Sequence, residues 1–221
     1  MDKTEIKKSI IMSQHCQRNW DLDKEIPQED IDVILQSVTQ CPSKQNIAHY
    51  NVHAITDRAL IEKIHDVSYG ESANTPGKQI SNPQTLANLL LVFTRRNDHY
   101  EQAVKHSKKR FRNAEQNSAV NADEKAKFET DTLNDANVAL GIAAGYCNLA
   151  SSLLGYRTGC SSCGDKTAVR NILGLPEEEK VLLLMGVGHN KEGVNRRLHH
   201  QNHDFMFPTH VKEPINVTWH K

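Results

Sequence analysis

The chain has 221 residues, with 27 Lys+Arg against 27 Asp+Glu, 38% hydrophobic and 5% aromatic residues. Balanced charge excludes a global electrostatic pull on nucleic acid or an acidic membrane surface, and a chain of this length can bury about 70% of its unfolded surface without disulfide staples. Five irregularly spaced Cys fit reduced thiols, and MDKTEIKKSIIMSQ lacks the apolar run and cleavage site of a secretory signal, so a cytoplasmic protein is expected.

Residues 3–14 read as a short helix with Ile6, Ile10 and Ile11 on one side. Residues 27–40 form the clearest amphipathic helix. Pro27 sits in its first turn, Glu29 and Asp30 complement the dipole, and Ile31, Ile34, Leu35 and Val38 make the stripe. Cys41-Pro42 stops it. Tyr50 to Ile55 reads as a strand, and Asp57 can cap a helix carrying Leu60, Ile61, Ile64 and Val67. Residues 69–85 are loop by their Gly, Pro, Asn and Ser content, and Leu86 to Phe93 reads as a buried strand. From 95 to 131 the chain is highly charged, a long polar excursion expected to be helical and to lie over the core or a partner.

The most apolar stretch runs from Ala136 to Tyr156, with a lead-in from Thr132. Leu133, Ala136, Leu140, Ala143, Cys147, Ala150 and Leu154 recur at steps of three and four, which is one helix face, and Val138, Ile142, Leu149 and Leu153 fill a second. A helix apolar on two faces is expected to be buried. Gly141, Ala144 and Gly145 would let another backbone pack close, Thr132 with Asp135 can cap the start, and Gly155 can end it. Asn137, Asn148, Ser151 and Ser152 argue for a core helix against a membrane span. One very apolar helix in a lean chain points to a core completed by a partner subunit. Asp165 can cap a helix through Val169, Ile172 and Leu173, ended by Gly174 with Pro176 beyond. Val181 to Val187 is another buried strand, and Pro214 to Trp219 alternates like an edge strand suited to pairing with another subunit. Strands separated by helices argue α+β or α/β in one domain, 1–221.

Four stretches can carry chemistry. His15-Cys16-Gln17-Arg18, near a helix end, suits an anion such as phosphate. Cys41 to Tyr50 (CPSKQNIAHY) links a helix to a strand through a loop that can face a ligand at the sheet's end. Cys160-Ser-Ser-Cys163, between Gly159 and Gly164, reads as an incidental pair, a redox dithiol or half of a zinc site needing His189 or His199-His200. Arg95 to Arg112 is basic, with Tyr100 and Phe111 able to interleave phosphate contacts, but zero net charge favours a solvated face. No G-x-G-x-x-G or P-loop is present, which argues against a dinucleotide domain.

The first two stretches together resemble the nitroreductase family of FMN-dependent oxidoreductases. That family opens with Arg-Arg/His-Ser-x-Arg/Lys and an aromatic, here Gln14-His15-Cys16-Gln17-Arg18 with Trp20. It continues with Pro-Ser-x-x-Asn-x-Gln-Pro-Trp, here Pro42-Ser43-Lys44-Gln45-Asn46-Ile47-Ala48-His49-Tyr50. The small-residue central helix with its terminal Leu154-Gly155-Tyr156, the Leu173-Gly174-Leu175-Pro176 turn, Gly186-Val187-Gly188-His189 and Arg196-Arg197 extend the similarity. The resemblance implies an α+β fold, a central mixed β-sheet flanked by helices, in an intertwined homodimer with two FMN sites at the subunit interface.

It further implies that His15, Cys16, Arg18, Pro42, Ser43, Asn46, Cys163, Gly164, Arg196 and Arg197 bind the flavin. Arg18 would reach the pyrimidine edge, Arg197 with Arg196 would hold the phosphate, and Gly164 would serve by its backbone. Lys44 and Tyr50 would shape the acceptor pocket. The implied reaction is ping-pong: NAD(P)H gives hydride to flavin N5, and a small electron-poor acceptor, a nitroaromatic or quinone, then takes its place. No catalytic side chain, metal, nucleic acid or membrane enters that reading. Gln14, Cys16 and Ala48-His49-Tyr50 depart from the family pattern and bear on flavin affinity and substrate range more than on fold. The rival readings are a flavin-binding member without turnover, a thiol or zinc protein built on Cys160 and Cys163, and a nucleic-acid adaptor using 95–112.

Overall fold

The computed structural model describes residues 2–71, 79–96, 122–208 and 210–220; most of the 95–131 excursion lies outside them. Asp2 opens α1 (Lys3–Ser13) with a capping box closed by Glu5. α2 (Gln28–Thr39) follows Pro27, and its Ile31, Ile34 and Val38 turn inward as the stripe predicts. β1 (Tyr50–Ile55) has the expected bounds. The Asp57 carboxylate accepts from the Leu60 amide at 2.6 Å and starts α3 (Arg58–Asp66).

The expected 69–85 loop instead contains a small hairpin, β2 (Tyr69–Glu71) with β3 (Gln79–Ser81), and a 3-10 turn at Pro83–Thr85. Three-residue strands leave no alternation for a sequence to display. β4 (Leu89–Arg95) starts three residues later than expected, because Leu86 and Ala87 are buried in the approach to the strand. The central helix, α4 (Ala122–Leu153), starts well before Thr132, so neither Thr132 nor Asp135 caps it. The lead-in contains no Gly or Pro to break the helix, and its Ala, Glu and Lys favour continuation. Gly155 ends it at φ 92 as expected. β5 (Arg157–Ser161), not foreseen, runs through the first Cys of the C-x-x-C. α5 (Lys166–Ile172) carries the expected Asp165 cap and ends before Gly174 at φ 64. β6 (Val181–Gly188) completes the set. Residues 214–219 form no strand within one chain, and Ile215, Val217 and Trp219 are exposed.

The main sheet has order β1-β4-β6-β5 and is antiparallel throughout. The parallel component expected of a mixed sheet reduces to one isolated bridge, Cys16 to Thr158. Side chains alternate across β4. Leu89, Leu91 and Phe93 join Met185 and Val187 of β6 under α2 and α4, while Leu90 and Val92 join Leu184 under α3 and α5. Both faces are therefore covered, which is why β4 reads as an unbroken apolar run.

α4 presents Ala136, Ala139, Ala143, Cys147 and Ser151 to the core. Its second face, expected to be buried, is open in one chain: Val138 is 63% and Tyr146 49% exposed, and nothing lies within 4 Å of a Cβ built on Gly141 or Gly145. No described helix is long and apolar enough to cross a membrane.

Gly159 and Gly186 face each other across β5 and β6. A Cβ on Gly186 would stand 2.0 Å from the Gln84 carbonyl oxygen. This bare patch lets the Pro83–Thr85 turn lie directly on the sheet and hold its β5 side.

Candidate functional site

The chain after α1 is stitched between β5 and the segment following β6. The Gln17 amide donates to Thr158 O (2.8 Å), the Arg18 amide to Arg196 O (3.0 Å) and the Asp21 amide to His189 O (3.0 Å). Trp20, 1% exposed, donates from Nε1 to Pro83 O at 2.7 Å, so the aromatic of the first motif is an anchor in the core. The bracing brings His15, Cys16, Arg18, Arg196 and Arg197 together, with Arg157 of β5 beside them.

This group is cationic. Burial lowers the His15 pKa first, and Arg196, Arg157 and Arg197 lower it further. Burial likewise leads the lowering at Arg18 and at Arg197. Arg196 Nη1 donates to Cys16 O (2.9 Å), Arg197 Nε to Phe207 O (2.9 Å) and Arg157 Nη1 to Tyr156 O (3.2 Å). Among the described residues none of these four arginines forms an ion pair, and the Arg18 Nε is buried without a hydrogen-bonding partner. Clustered cations held on carbonyl oxygens, with no carboxylate, make a seat for an anion.

Pro42, Ser43, Asn46 and Tyr50 form a second group. A 3-10 turn, Lys44–Asn46, ends with Asn46 at φ 55, a left-handed conformation Asn tolerates. Ser43 Oγ donates to Ile47 O at 2.8 Å. Tyr50 Oη donates to Val38 O and lies 3.1 Å from Cys41 Sγ, and burial, then Cys41, push its pKa up. Ser43, Asn46 and Tyr50 line a cavity of about 500 Å³ beneath the end of α2. Lys44 is paired with Asp135 at 2.7 Å.

The two groups do not meet within one chain. Lys44 sits at Asp135, whereas Cys16 sits beside Thr158, which bonds Asn148. Those two α4 positions are separated by about 20 Å of helix. In the sheet, β1 and β5 are opposite edges, roughly 14 Å apart at three strand spacings.

Gly164, at φ +107, packs on the backbone of Ser68 and Val67, where a Cβ would meet both at 2.8 Å. Its bareness thus serves packing against the end of α3. Cys163 is exposed and stands 3.8 Å from the Cβ position of Gly70. Burial pushes the Cys160 thiol up to about 12, which leaves it protonated and inert at neutral pH. Among the described residues no cluster of three or more His, Cys, Asp or Glu is arranged to hold a metal.

Sequence reasoning missed Arg157 and Phe207. Arg157 carries a faint signal, a lone cation opening a strand. Phe207 carries none, since its ring reaches Arg18 only through the fold.

The fold agrees with that of known proteins. The chain is similar over 99% of its length to all of a candidate nitroreductase from Bacillus subtilis (17% identity, TM-score 0.65). It is also similar to a nitroreductase family protein from Streptococcus pneumoniae (17% identity, 86% of this chain, 92% of that one, TM-score 0.62). A candidate NAD(P)H:FMN oxidoreductase from Staphylococcus epidermidis matches at 17% identity, 85% of this chain and 88% of that one, with TM-score 0.61. No curated protein sequence matches the chain. The Nitroreductase family model spans residues 11–189, from the end of α1 through the end of β6, and the chain belongs to that family.

Proposed function

We propose that this protein is an FMN-dependent oxidoreductase that draws electrons from NAD(P)H and passes them to a small electron-poor acceptor of nitroaromatic or quinone type. The single observation carrying this reading is the uncompensated cation group of Arg18, Arg157, Arg196 and Arg197, with the His15 ring beside it. Its charge and its carbonyl-held guanidinium groups fit a phosphorylated, anionic ring system. Arg196 and Arg197 would hold the phosphate, and Arg18 would face the pyrimidine edge. When bound, FMN supplies ping-pong hydride chemistry at N5. The chain's part is to bind, orient and bias: a fixed cation near the ring's pyrimidine edge favours the reduced, anionic form. No side chain need supply a proton.

The separation of Ser43 and Asn46 from the cations favours a homodimer, with these residues of one protomer completing the site of the other. Two further features support it. The open α4 face around Gly141 and Gly145 suits close packing on its mate, and a tail with Val211 at 88% and Trp219 at 83% exposure needs cover. In that assembly Tyr50 and Lys44 border the acceptor pocket. The staphylococcal protein's designation as a candidate NAD(P)H:FMN oxidoreductase agrees with the cofactor and reductant.

The test is an absorbance spectrum of purified protein before and after NADPH or NADH, with mass in solution measured alongside. A flavin band that bleaches on reductant addition and returns with a quinone is the expected result. A colourless protein that takes up no added FMN sinks the reading, and a monomeric mass sinks the shared site.

A further inference from the structure

The segment after Arg197 folds back beneath Arg18. Leu198 bridges Met206, and the His199 amide donates to Phe205 O at 2.9 Å. The Phe207 amide donates to Arg197 O at 3.0 Å, and Arg197 Nε returns a bond to Phe207 O at 2.9 Å. This double tie sets the Phe207 ring face-on to Arg18, with the guanidinium carbon 4.4 Å from the ring centroid. His199 lies nearly parallel to Phe207, centroids 6.0 Å apart at 12°, and Phe205 meets Phe207 edge-on at 5.0 Å. His199 is itself 3% exposed. Its Nε2 is 2.9 Å from Ser81 Oγ, and its Nδ1 accepts the Gln201 and Asn202 amides at 3.1 and 2.9 Å.

An arginine on a long flexible stem is usually fixed by a carboxylate. Among the described residues Arg18 has none, and its Nε is buried without a hydrogen-bonding partner. A carboxylate would also cancel the charge. An aromatic face instead orients a guanidinium while leaving its charge whole and its N–H edge open. We propose that Phe207, backed by His199, is the positioning residue for Arg18, holding the guanidinium flat so that its full charge and N–H edge are directed at the reduced flavin. The inference rests on the FMN reading above and adds to it how one cation is aimed.

The test reads the stack without cofactor first. In apo protein with nitrogen-15 arginine, the Arg18 Nε–H signal, assigned by its loss in Arg18→Lys, is expected to be shifted by the ring current and slow to exchange. Phe207→Leu should lose both properties, and Phe207→Tyr should keep them. In the FMN-loaded protein, Phe207→Leu should bind the reduced flavin about tenfold more weakly relative to the oxidised form, a fall of about 30 mV in the two-electron potential, while Phe207→Tyr stays at the wild-type value. Phe207→Met carries the same comparison if the leucine variant lacks the wild-type far-UV spectrum. Wild-type shift and wild-type potential in Phe207→Leu overturn the inference, as does an equal fall in Phe207→Tyr. FMN uptake without the Arg18 signature removes this inference alone. The signature without any FMN uptake removes the flavin reading, and the positioning role with it.

Discussion

The two edges of the sheet hold opposite kinds of polar group. At the β5 edge, four arginines and His15 converge, and among the described residues none of these arginines is paired with a carboxylate. At the β1 edge, Lys44 is closed on Asp135, and the hydroxyls of Ser43 and Tyr50 are bonded to nearby carbonyls. The first group joins segments 180 positions apart, as in Arg196 to Cys16, and is held by backbone bonds that do not depend on the charges. Apart from the Lys44–Asp135 pair, the second is built within a dozen residues, and its Ser43 and Tyr50 hydroxyls are satisfied within them. One is electrostatically incomplete and the other is a shaped hollow, so each lacks what its counterpart has.

The comparison breaks most visibly at Gly186. Gly186→Ala drives a Cβ to 2.0 Å from the Gln84 carbonyl and 2.8 Å from the Ala87 Cβ, and backbone cannot swing aside. A loss of about 3 kcal/mol is expected, read as a lowered urea midpoint at unchanged slope. A variant as stable as wild type would mean the turn does not brace the β5 side.

Next in size, Arg196→Gln with Arg197→Gln should weaken FMN binding about 100-fold by removing two charge-assisted contacts. Quenching of FMN fluorescence measures this. Binding within a factor of three of wild type would move the anion seat elsewhere.

Acid should act on the same side of the molecule. His65 and His199 are 2% and 3% exposed, and burial is the main cause lowering both pKa values. Each is held neutral in the fold and titrates near 6.5 when unfolded. The unfolded chain therefore binds more protons in acid, so stability is complete above about pH 6.5 and falls as pH drops through that value toward the lowered folded values. The melting temperature across pH 7 to 5 reads this directly. His199→Gln should flatten the slope, and an identical acid slope in that variant counts against His199 as a contributor.

The smallest effect belongs to Lys44→Met. Its pair with Asp135 has side chains 59% and 27% exposed, so less than about 1 kcal/mol should be lost. A larger change in melting temperature would show that the β1 edge is less self-contained than its bonding suggests.

Much of the fold was legible because it rests on local signals. The α2 stripe of Ile31, Ile34 and Val38, the Asp57 and Asp165 caps, the Gly155 and Gly174 ends and the strands from Tyr50 and Val181 all follow from periodicity and backbone preference. The β2–β3 hairpin and β5 were not legible, since strands of three to five residues display too few alternations. Helix α4 looked buried on two faces from composition alone, yet one chain covers only the Ala136–Cys147 side. A hydrophobic pattern reports that a face needs cover, not which chain supplies it.

The site divides the same way. The amino-acid order alone determined that His15, Arg18 and the Arg196-Arg197 pair belong together as candidates, because their motifs keep a family's spacing. Only the tertiary structure decided that Arg157 joins them, that Ser43 and Asn46 stand at the opposite edge, and that Phe207 lies under Arg18 at 4.4 Å. Those facts depend on which strand edge the front segment follows and on where the chain folds back after Arg197. Such long-range closures are chosen by packing and backbone pairing summed over the whole molecule, and no short window of residues encodes them.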